Sequence, residues 1–340
     1  MATMQQVADK ANVSLSTVSY VMSGTRAVGK ETKARVRKAM TELGYQPNFA
    51  ARSLASRRSN VIALVFPAAE HGLGGTVAEF VDSAAQTARE FGFNLVLWPF
   101  KTSEADQIVN LARQGMADGV LVMEVALNDA RVEALSQANV PFTMIGRTSE
   151  LDGRPWVDVD FDQTIEQAVN YLYQLGHRNI SFVNHSEQSA ATGYAPTFRA
   201  ADAFDKALKQ RGLAPISVRC DETPTAGRAV VDRLFDSNPM LSAIITMNEL
   251  ATFGILAELS ARGIQVPNDM SVLSVVSSPG VSQMSSPPLS TMNTPGAELG
   301  RLAVLKLLSE IGETVPSDTR LLIPCSLSEG GTVARAWQGH

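Results

Sequence analysis

The stretch Ala8–Val21 reads Ala-Asp-Lys-Ala-Asn-Val-Ser-Leu-Ser-Thr-Val-Ser-Tyr-Val, residue types that suit contact with a DNA duplex rather than bond-making chemistry. Two short helices joined by a tight turn, with small Ala8 and Ala11 at the crossing and Val18 closing the core, make a helix-turn-helix. The second helix of such a pair enters the major groove N-terminus first, which puts Leu15, Ser16 and Tyr20 on its outer side. A serine hydroxyl can bond a base edge or a phosphate, and a leucine can pack on a thymine methyl. The Tyr20 phenol can stack or donate one hydrogen bond but cannot form the two-pronged guanine contact of an arginine. Ser14, Thr17 and Ser19 complete the candidate DNA contacts of this segment.

Charge supports the same chemistry. Of the chain's 29 basic and 34 acidic residues, ten and three fall in residues 1 to 60, so that segment carries +7 and the remaining 280 residues carry −12. A basic head on an acidic body suggests a polyanion-binding module joined to something that should not stick to polyanions. Arg26, Lys33 and Arg35 are the expected phosphate contacts, which hold register and supply affinity without reading sequence.

Enzyme motifs fail on context. Gly24-Thr-Arg-Ala-Val-Gly29-Lys30 imitates a phosphate loop, yet Glu31 replaces the required Ser or Thr and a helix precedes it in place of a strand. Gly72-Leu-Gly74-Gly75 follows a strand but has no Gly or Ala at position 77, so it is no dinucleotide fingerprint. The histidines at 71, 177, 185 and 340 are scattered, with no Cys/His spacing for zinc, and no Gly-x-Ser-x-Gly elbow occurs. His177 reads as a packing or capping residue at a helix-to-strand turn. The expectation is a protein that is not an enzyme and uses neither metal nor cofactor.

The elements that must position these residues fall into two regimes. The first 45 residues read as three short helices: 4 to 12, a second capped by Ser14 and running to about Met22 before Gly24, and a third from Lys30 to Leu43, stopped by Gly44. From Asn60 onward, strand and helix alternate. Continuous apolar runs at Val61–Phe66, Asn94–Trp98, Gly119–Met123, Phe142–Ile145, Ile180–Asn184, Ala243–Met247 and Ser271–Val276 are separated by amphipathic stretches such as 77 to 91, 163 to 175 and 249 to 262. This repetition predicts an α/β core of two doubly wound parallel sheets. No apolar run approaches the roughly 20 residues needed to cross a bilayer. The opening Met1–Gln6 lacks the basic and apolar segments of a secretion signal. Two distant cysteines, Cys220 and Cys325, give no disulfide scaffold, so the expected location is the cytoplasm, in association with the nucleoid.

Several segments together resemble one family. Ser14–Val21, Gly24, Glu31–Val36 and Leu43-Gly-Tyr-Gln-Pro-Asn48 are similar to the headpiece of the LacI (LacI/GalR) family of bacterial transcription regulators. Leu175-Gly-His-Arg-Asn-Ile180, Ile264–Val272, Pro287-Pro-Leu-Ser-Thr291 and Glu298-Leu-Gly-Arg-Leu302 extend the match, in family order, over essentially the whole chain. The resemblance implies a helix-turn-helix headpiece over 1–46, a hinge helix and linker over 47–59, and a periplasmic-binding-protein-like core over 60–340. That core would comprise an N-subdomain of about 60–159 and 291–322 and a C-subdomain of about 160–290 and 323–340. It implies a homodimeric repressor that binds a pseudo-palindromic double-stranded DNA operator and answers to a small molecule held between the subdomains. No membrane partner is expected.

Within the hinge, the resemblance assigns Asn48, Ala51, Arg52 and Leu54 to DNA contact, with Leu54 as an apolar wedge in the minor groove. Nine residues, Pro47 to Ala55, are too few to hold a helix alone in water, so this one should order against DNA or its partner copy. For the effector, the resemblance points to Phe66, Arg147, Asp160, Phe161, Arg199, Glu222, Asn248, Glu249 and Ser277. Three departures stand out. Arg199 sits one place from the family's effector-binding arginine, about 100° around a helix. Ser274-Val-Val-Ser277 replaces the usual Gly-Tyr/Phe-Asp-Asp, and Glu222 stands where an aromatic that stacks on the ligand is common. With those elements gone, the expected ligand is an atypical sugar, a nucleoside or a phosphorylated metabolite of a catabolic operon. The alternative is a solute-binding protein or sugar-processing enzyme on the same core. The basic headpiece and missing secretion signal argue against the first, and the lack of paired catalytic carboxylates argues against the second.

Overall fold

The computed structural model describes residues 2–23, 26–45, 58–67, 75–316 and 320–336. Thr3 opens the first helix, α1 (Met4–Ala11): its hydroxyl accepts the Gln6 N–H while the Gln6 side chain accepts the Thr3 N–H. Asn12, left-handed at φ 51, ends that helix. Ser14 takes the cap position read from the sequence; its Oγ accepts the Thr17 N–H at 3.2 Å at the start of α2 (Leu15–Ser23). With α3 (Lys30–Glu42), these helices bury Val7, Ala8, Ala11, Val18, Val36 and Ala39 in a small core. Lys10 ties α1 to α3 through Glu42 at 2.8 Å.

The rest of the described chain builds two six-stranded sheets with helices on their faces. The first lobe runs β1 (Val61–Val65), α4 (Gly75–Glu90), β2 (Asn94–Trp98), α5 (Ala105–Arg113), β3 (Gly119–Met123), α6 (Ala130–Gln137), β4 (Phe142–Ile145) and β5 (Trp156–Val159). The second runs α7 (Phe161–Gln174), β6 (Ile180–Asn184), α8 (Glu187–Ala191), α9 (Ala195–Lys209), β7 (Ile216–Arg219), α10 (Pro224–Ser237), β8 (Ala243–Thr246), α11 (Glu249–Ala261), β9 (Ser271–Ser277) and β10 (Ser290–Asn293). The chain then returns to the first lobe through α12 (Gly296–Glu310) and β11 (Leu322–Ile323), and ends in the second with β12 (Ser326–Ser328). The sheet orders are β11-β5-β4-β3-β1-β2 and β12-β10-β9-β8-β6-β7, all parallel except the β10–β12 pair. Each is doubly wound, with the order reversing between β1 and β3 and between β6 and β8.

The crossings between lobes differ slightly from the limits expected from the sequence. Ser290–Asn293 pairs with β9, so the return crossing follows Asn293 rather than falling at 291, and Ile323 stays with the first sheet beside Val159. The central strands β1, β3, β4, β8 and β9 are buried almost throughout, as continuous apolar runs require. β2 is half-exposed because it closes the edge of its sheet. α10 and α11 approach closely enough that a Cβ on Gly227 would meet the Ala251 carbonyl, and one on Gly254 the Pro224 carbonyl. His177 does pack at a turn: its ring nitrogens lie 3.0 Å from Ser242 Oγ and 3.0 Å from the Ala334 carbonyl.

Candidate DNA-contact surface and ligand cleft

In the headpiece, burial of Val18 turns the opposite side of α2 outward. Ser14, Leu15 and Ser16 are exposed, Leu15 by 45%. Ser14 Oγ lies 2.8 Å from both Ser16 Oγ and Thr17 Oγ1, so the three hydroxyls form one cluster at the helix start. Thr17, Ser19 and Tyr20 are half-buried on the flank, and the Arg26 guanidinium stands 5.8 Å from the centre of the Tyr20 ring. Lys30, Lys33, Arg35, Arg37 and Lys38 are all exposed on α3. This unit can present a shaped polar helix end to base edges and cations to phosphates. Asn48, Ala51, Arg52 and Leu54 lie outside the described residues.

The second candidate site is a cavity of about 240 Å³ between the lobes. Its walls come from the carboxyl ends of strands in both sheets, where an open α/β sheet leaves a crevice. Met123, Ile145, Asp158 and Val159 end β3, β4 and β5; His185, Met247 and Thr294 follow β6, β8 and β10. Thr76, Val77 and Phe80 enter from α4, Phe161 from α7, and Asn248, Glu249 and Leu250 from the start of α11. The turn after β3, which brings Glu124 and Val125 to the wall, is held from behind by a buried ion pair. Arg131 donates to Asp129 at 2.7 Å and to the carbonyls of Met123 and Glu124 at 3.1 and 3.0 Å.

Of the effector residues expected from the sequence, Phe161, Glu222, Asn248 and Glu249 reach this wall. Asn248 is also the cap of α11: its Oδ1 accepts the Ala251 N–H at 3.1 Å, and its Nδ2 donates to the carbonyls of Cys220 and Asp221. Burial opposes ionisation of Glu222, yet hydrogen bonds from His185 Nδ1 and the Ser186 N–H carry its pKa down to about 2. Glu249 Oε1 accepts the Ser278 N–H and hydroxyl at 2.6 and 3.0 Å.

The others stand off the wall, each for a visible reason. Phe66 is buried in the core behind β1. Asp160 turns to cap α7, accepting the Gln163 N–H at 2.9 Å. Ser277 folds back onto Ser274, Oγ to Oγ 2.6 Å, and its neighbour Val276 lines the cleft instead. Val276 holds φ 55, a left-handed conformation that a β-branched residue enters at a cost of about 1–3 kcal/mol. Arg147 and Arg199 both turn to Asp158, at 3.3 and 3.8 Å, and Arg199 also donates to the Arg147 carbonyl at 2.8 Å. Arg199 therefore reaches from α9 in the second lobe to β4 and β5 of the first. Burial outweighs the two guanidiniums and lifts Asp158 to a pKa of about 6.

Sequence reasoning passed over Asp158, Glu124, His185 and Tyr194. For Asp158, Glu124 and His185 a usable signal was their place at or just past a strand, as with His185 after Ile180–Asn184; Tyr194, at the start of α9, carried no such signal. His185 and Tyr194 meet edge to face, with ring centres 5.6 Å apart. Among the described residues no helix is long and apolar enough to cross a membrane.

Comparison with known proteins matches this architecture. The profile of "Bacterial regulatory proteins, lacI family" matches residues 3–48, and that of a "Periplasmic binding protein-like domain" matches residues 169–333. The HTH-type transcriptional regulator CelR of Thermobifida fusca is 30% identical over 328 residues, covering 92% of this chain and 94% of its own. A solved complex of transcriptional regulator CelR with cellobiose is 26% identical, with a TM-score of 0.70 over 98% of this chain and 100% of its own. The Lac repressor dimer bound to operator and the anti-inducer ONPF, 22% identical, shares the fold with a TM-score of 0.81 over 98% of this chain and 99% of its own. A three-helix DNA-reading unit followed by two doubly wound lobes, at this level of identity over nearly the full length, means that the chain belongs to the LacI family of bacterial regulatory proteins.

Proposed function

We propose that this DNA-binding transcriptional regulator is a homodimeric repressor of a catabolic operon, acting in the cytoplasm at the nucleoid. Its operator affinity would be set by a small molecule in the cleft between the lobes. The observation that carries this reading is the joining, in one chain, of an exposed Ser14–Ser16 helix start on a basic unit to a cleft built from both sheets. Two headpieces related by a twofold axis would read a pseudo-palindromic site. Leu15, Ser16 and Tyr20 would discriminate bases while Arg26, Lys33 and Arg35 hold phosphates. A ligand that draws the lobes together around the chain crossings would shift the headpieces, and a coupling of about 1–3 kcal/mol changes operator affinity roughly 5–150-fold. That a protein of this fold, CelR, is found in complex with cellobiose supports a sugar-sized ligand.

The test is a mobility-shift titration with DNA from upstream of the neighbouring genes, at two salt concentrations and with unrelated competitor DNA. A sequence-specific complex should survive competition, and its affinity should fall steeply with salt as phosphate-bound counterions are released. Binding that competitor abolishes equally at both concentrations contradicts the proposal.

A further inference from the structure

The chain is clamped where it enters the first lobe. Asp118, just before β3, accepts the Ser59 N–H and hydroxyl at 2.7 and 2.9 Å through one oxygen and the Asn60 N–H at 2.7 Å through the other. Asn60 holds φ 50, so the backbone turns sharply there before β1, in a conformation that asparagine tolerates. Beside this clamp Arg58 donates from one guanidinium nitrogen to Glu313 and from the other to the Ile311 carbonyl at 3.1 Å. Ile311 is the C-cap of α12, where carbonyls lack partners within the helix and the helix dipole favours a cation. An exposed ion pair of this kind adds only about 0–1 kcal/mol to stability. What it fixes is direction, because its partners are 255 residues apart in the chain and Asp118 already holds the next two residues.

The helix that Arg58 grips also reaches the cleft. Leu299, in the first turn of α12, lines the cleft together with Phe80 of α4. The carboxyl end of α12 lies about 22 Å further along its 15 residues. Packing along this length is tight. A Cβ on Gly300 would stand 2.7 Å from the Phe80 carbonyl, and one on Gly296 would stand 2.8 Å from the Glu79 carboxylate. Ser83 of α4 donates to the Ala297 carbonyl. Nearer the clamp, a Cβ on Gly119, the residue after Asp118, would stand 2.8 Å from the Leu307 side chain. Contacts this close leave α4, α12 and β3 little room to slide past one another, so a shift at the cleft end of α12 is carried to its anchored end.

We propose that Arg58 is a positioning residue for operator binding: it ties the linker to the carboxyl end of α12, and α12 carries movement at the cleft wall to the headpiece through that tie. The proposal rests on reading the chain as a ligand-controlled regulator and adds the contact through which control passes. The rival role for Arg58 is a direct phosphate contact, and the two differ in sign. Glu313→Gln frees Arg58 and removes a negative charge, so a phosphate-binding arginine would then hold DNA more tightly. An anchoring arginine would instead lose operator affinity, about 5-fold or more, with binding to a scrambled duplex unchanged. The affinities are measured by fluorescence anisotropy of the full chain on the sequence that the native protein selects from a random-oligonucleotide pool. Arg58→Met should cost about as much as Glu313→Gln, and the double variant no more than either. Both positions are exposed, so Tm should move by no more than roughly 2–4 °C. Gly300→Ala, which pushes α12 off the Phe80 carbonyl, should change operator affinity in the native chain and leave it unaltered in the Arg58→Met chain. Tighter binding by Glu313→Gln, additive losses in the double variant, or a Gly300→Ala effect equal in both backgrounds overturns the proposal. A pool that stays random with the native chain overturns the regulatory reading and the anchor together, whereas the variants overturn the anchor alone.

Discussion

Tyr20 is where the identity of the DNA site is most exposed to test. Its ring is half-buried under Arg26, so the phenol would enter a groove from a braced position with one hydroxyl to offer. Tyr20→Arg would substitute a fork able to grip guanine in two places, a change of about 1–3 kcal/mol between right and wrong base. Oligonucleotide selection with this variant should move the preferred base at one symmetric pair of positions and leave the others alone; an unchanged profile would show that position 20 does not read bases. At this scale the sequence was informative wherever local spacing decides exposure. Val18 had to be inside and Ser16 outside, because two positions apart they lie about 200° round one short helix, whereas Leu15, one turn before Val18, is exposed as the first residue of that helix. It was less informative in the cleft. Asn248 and Glu222 could be placed by motif, but Asp158 acquires its meaning from Arg199, 41 residues further along and in the other lobe, and Tyr194 from carboxylates 28 to 70 residues away. Val276 shows the same limit: nothing local signals that an apolar β-branched residue occupies a left-handed backbone where the family usually has an acid.

Among the elements, long apolar runs bounded by turns were legible because a strand buried on both faces has few other sequences open to it. Short strands were harder. β5, β7 and β11 have four residues or fewer each, and their pairing is decided by neighbours rather than by pattern. α12 is hidden for the opposite reason: it packs on α4 and on the sheet at once, so Leu299, Leu302, Ala303, Val304, Leu307 and Leu308 leave no clear polar stripe. The turn after α7 carries a testable consequence. His177 bridges that turn to Ser242 and to the Ala334 carbonyl, and burial lowers its pKa despite the carbonyl contact. The unfolded chain therefore takes up the proton first. The stability His177 contributes is complete above the unfolded value of about 6.5 and is lost as pH falls through that value toward the folded one. Urea melts of the native chain should show a lower midpoint at pH 5 than at pH 7.5, and His177→Gln should shrink that difference. An equal fall in both proteins would locate the acid sensitivity elsewhere, though not in Glu222, whose window lies lower, between about 4.5 and about 2.

For the molecule as a whole, the lobes are linked where β5 passes to α7, where β10 passes to α12 and where β11 passes to β12. Arg199 spans the same gap by gripping Asp158 and the Arg147 carbonyl. Closure about these crossings is the motion open to such an architecture, and under the proposed function it would couple an occupied cleft to two headpieces. The overall plan was readable from the switch in periodicity near residue 60 together with the change of charge sign there, since a cationic unit of three helices and an acidic α/β body have different partners. The central claim, that paired headpieces recognise a defined operator, is tested most directly by selecting bound sequences from a random-oligonucleotide pool with the full-length protein. The account predicts enrichment of an inverted repeat whose half-sites carry the same core bases. A pool that stays random after repeated rounds, with the protein folded and bound to DNA only through its charge, would contradict it.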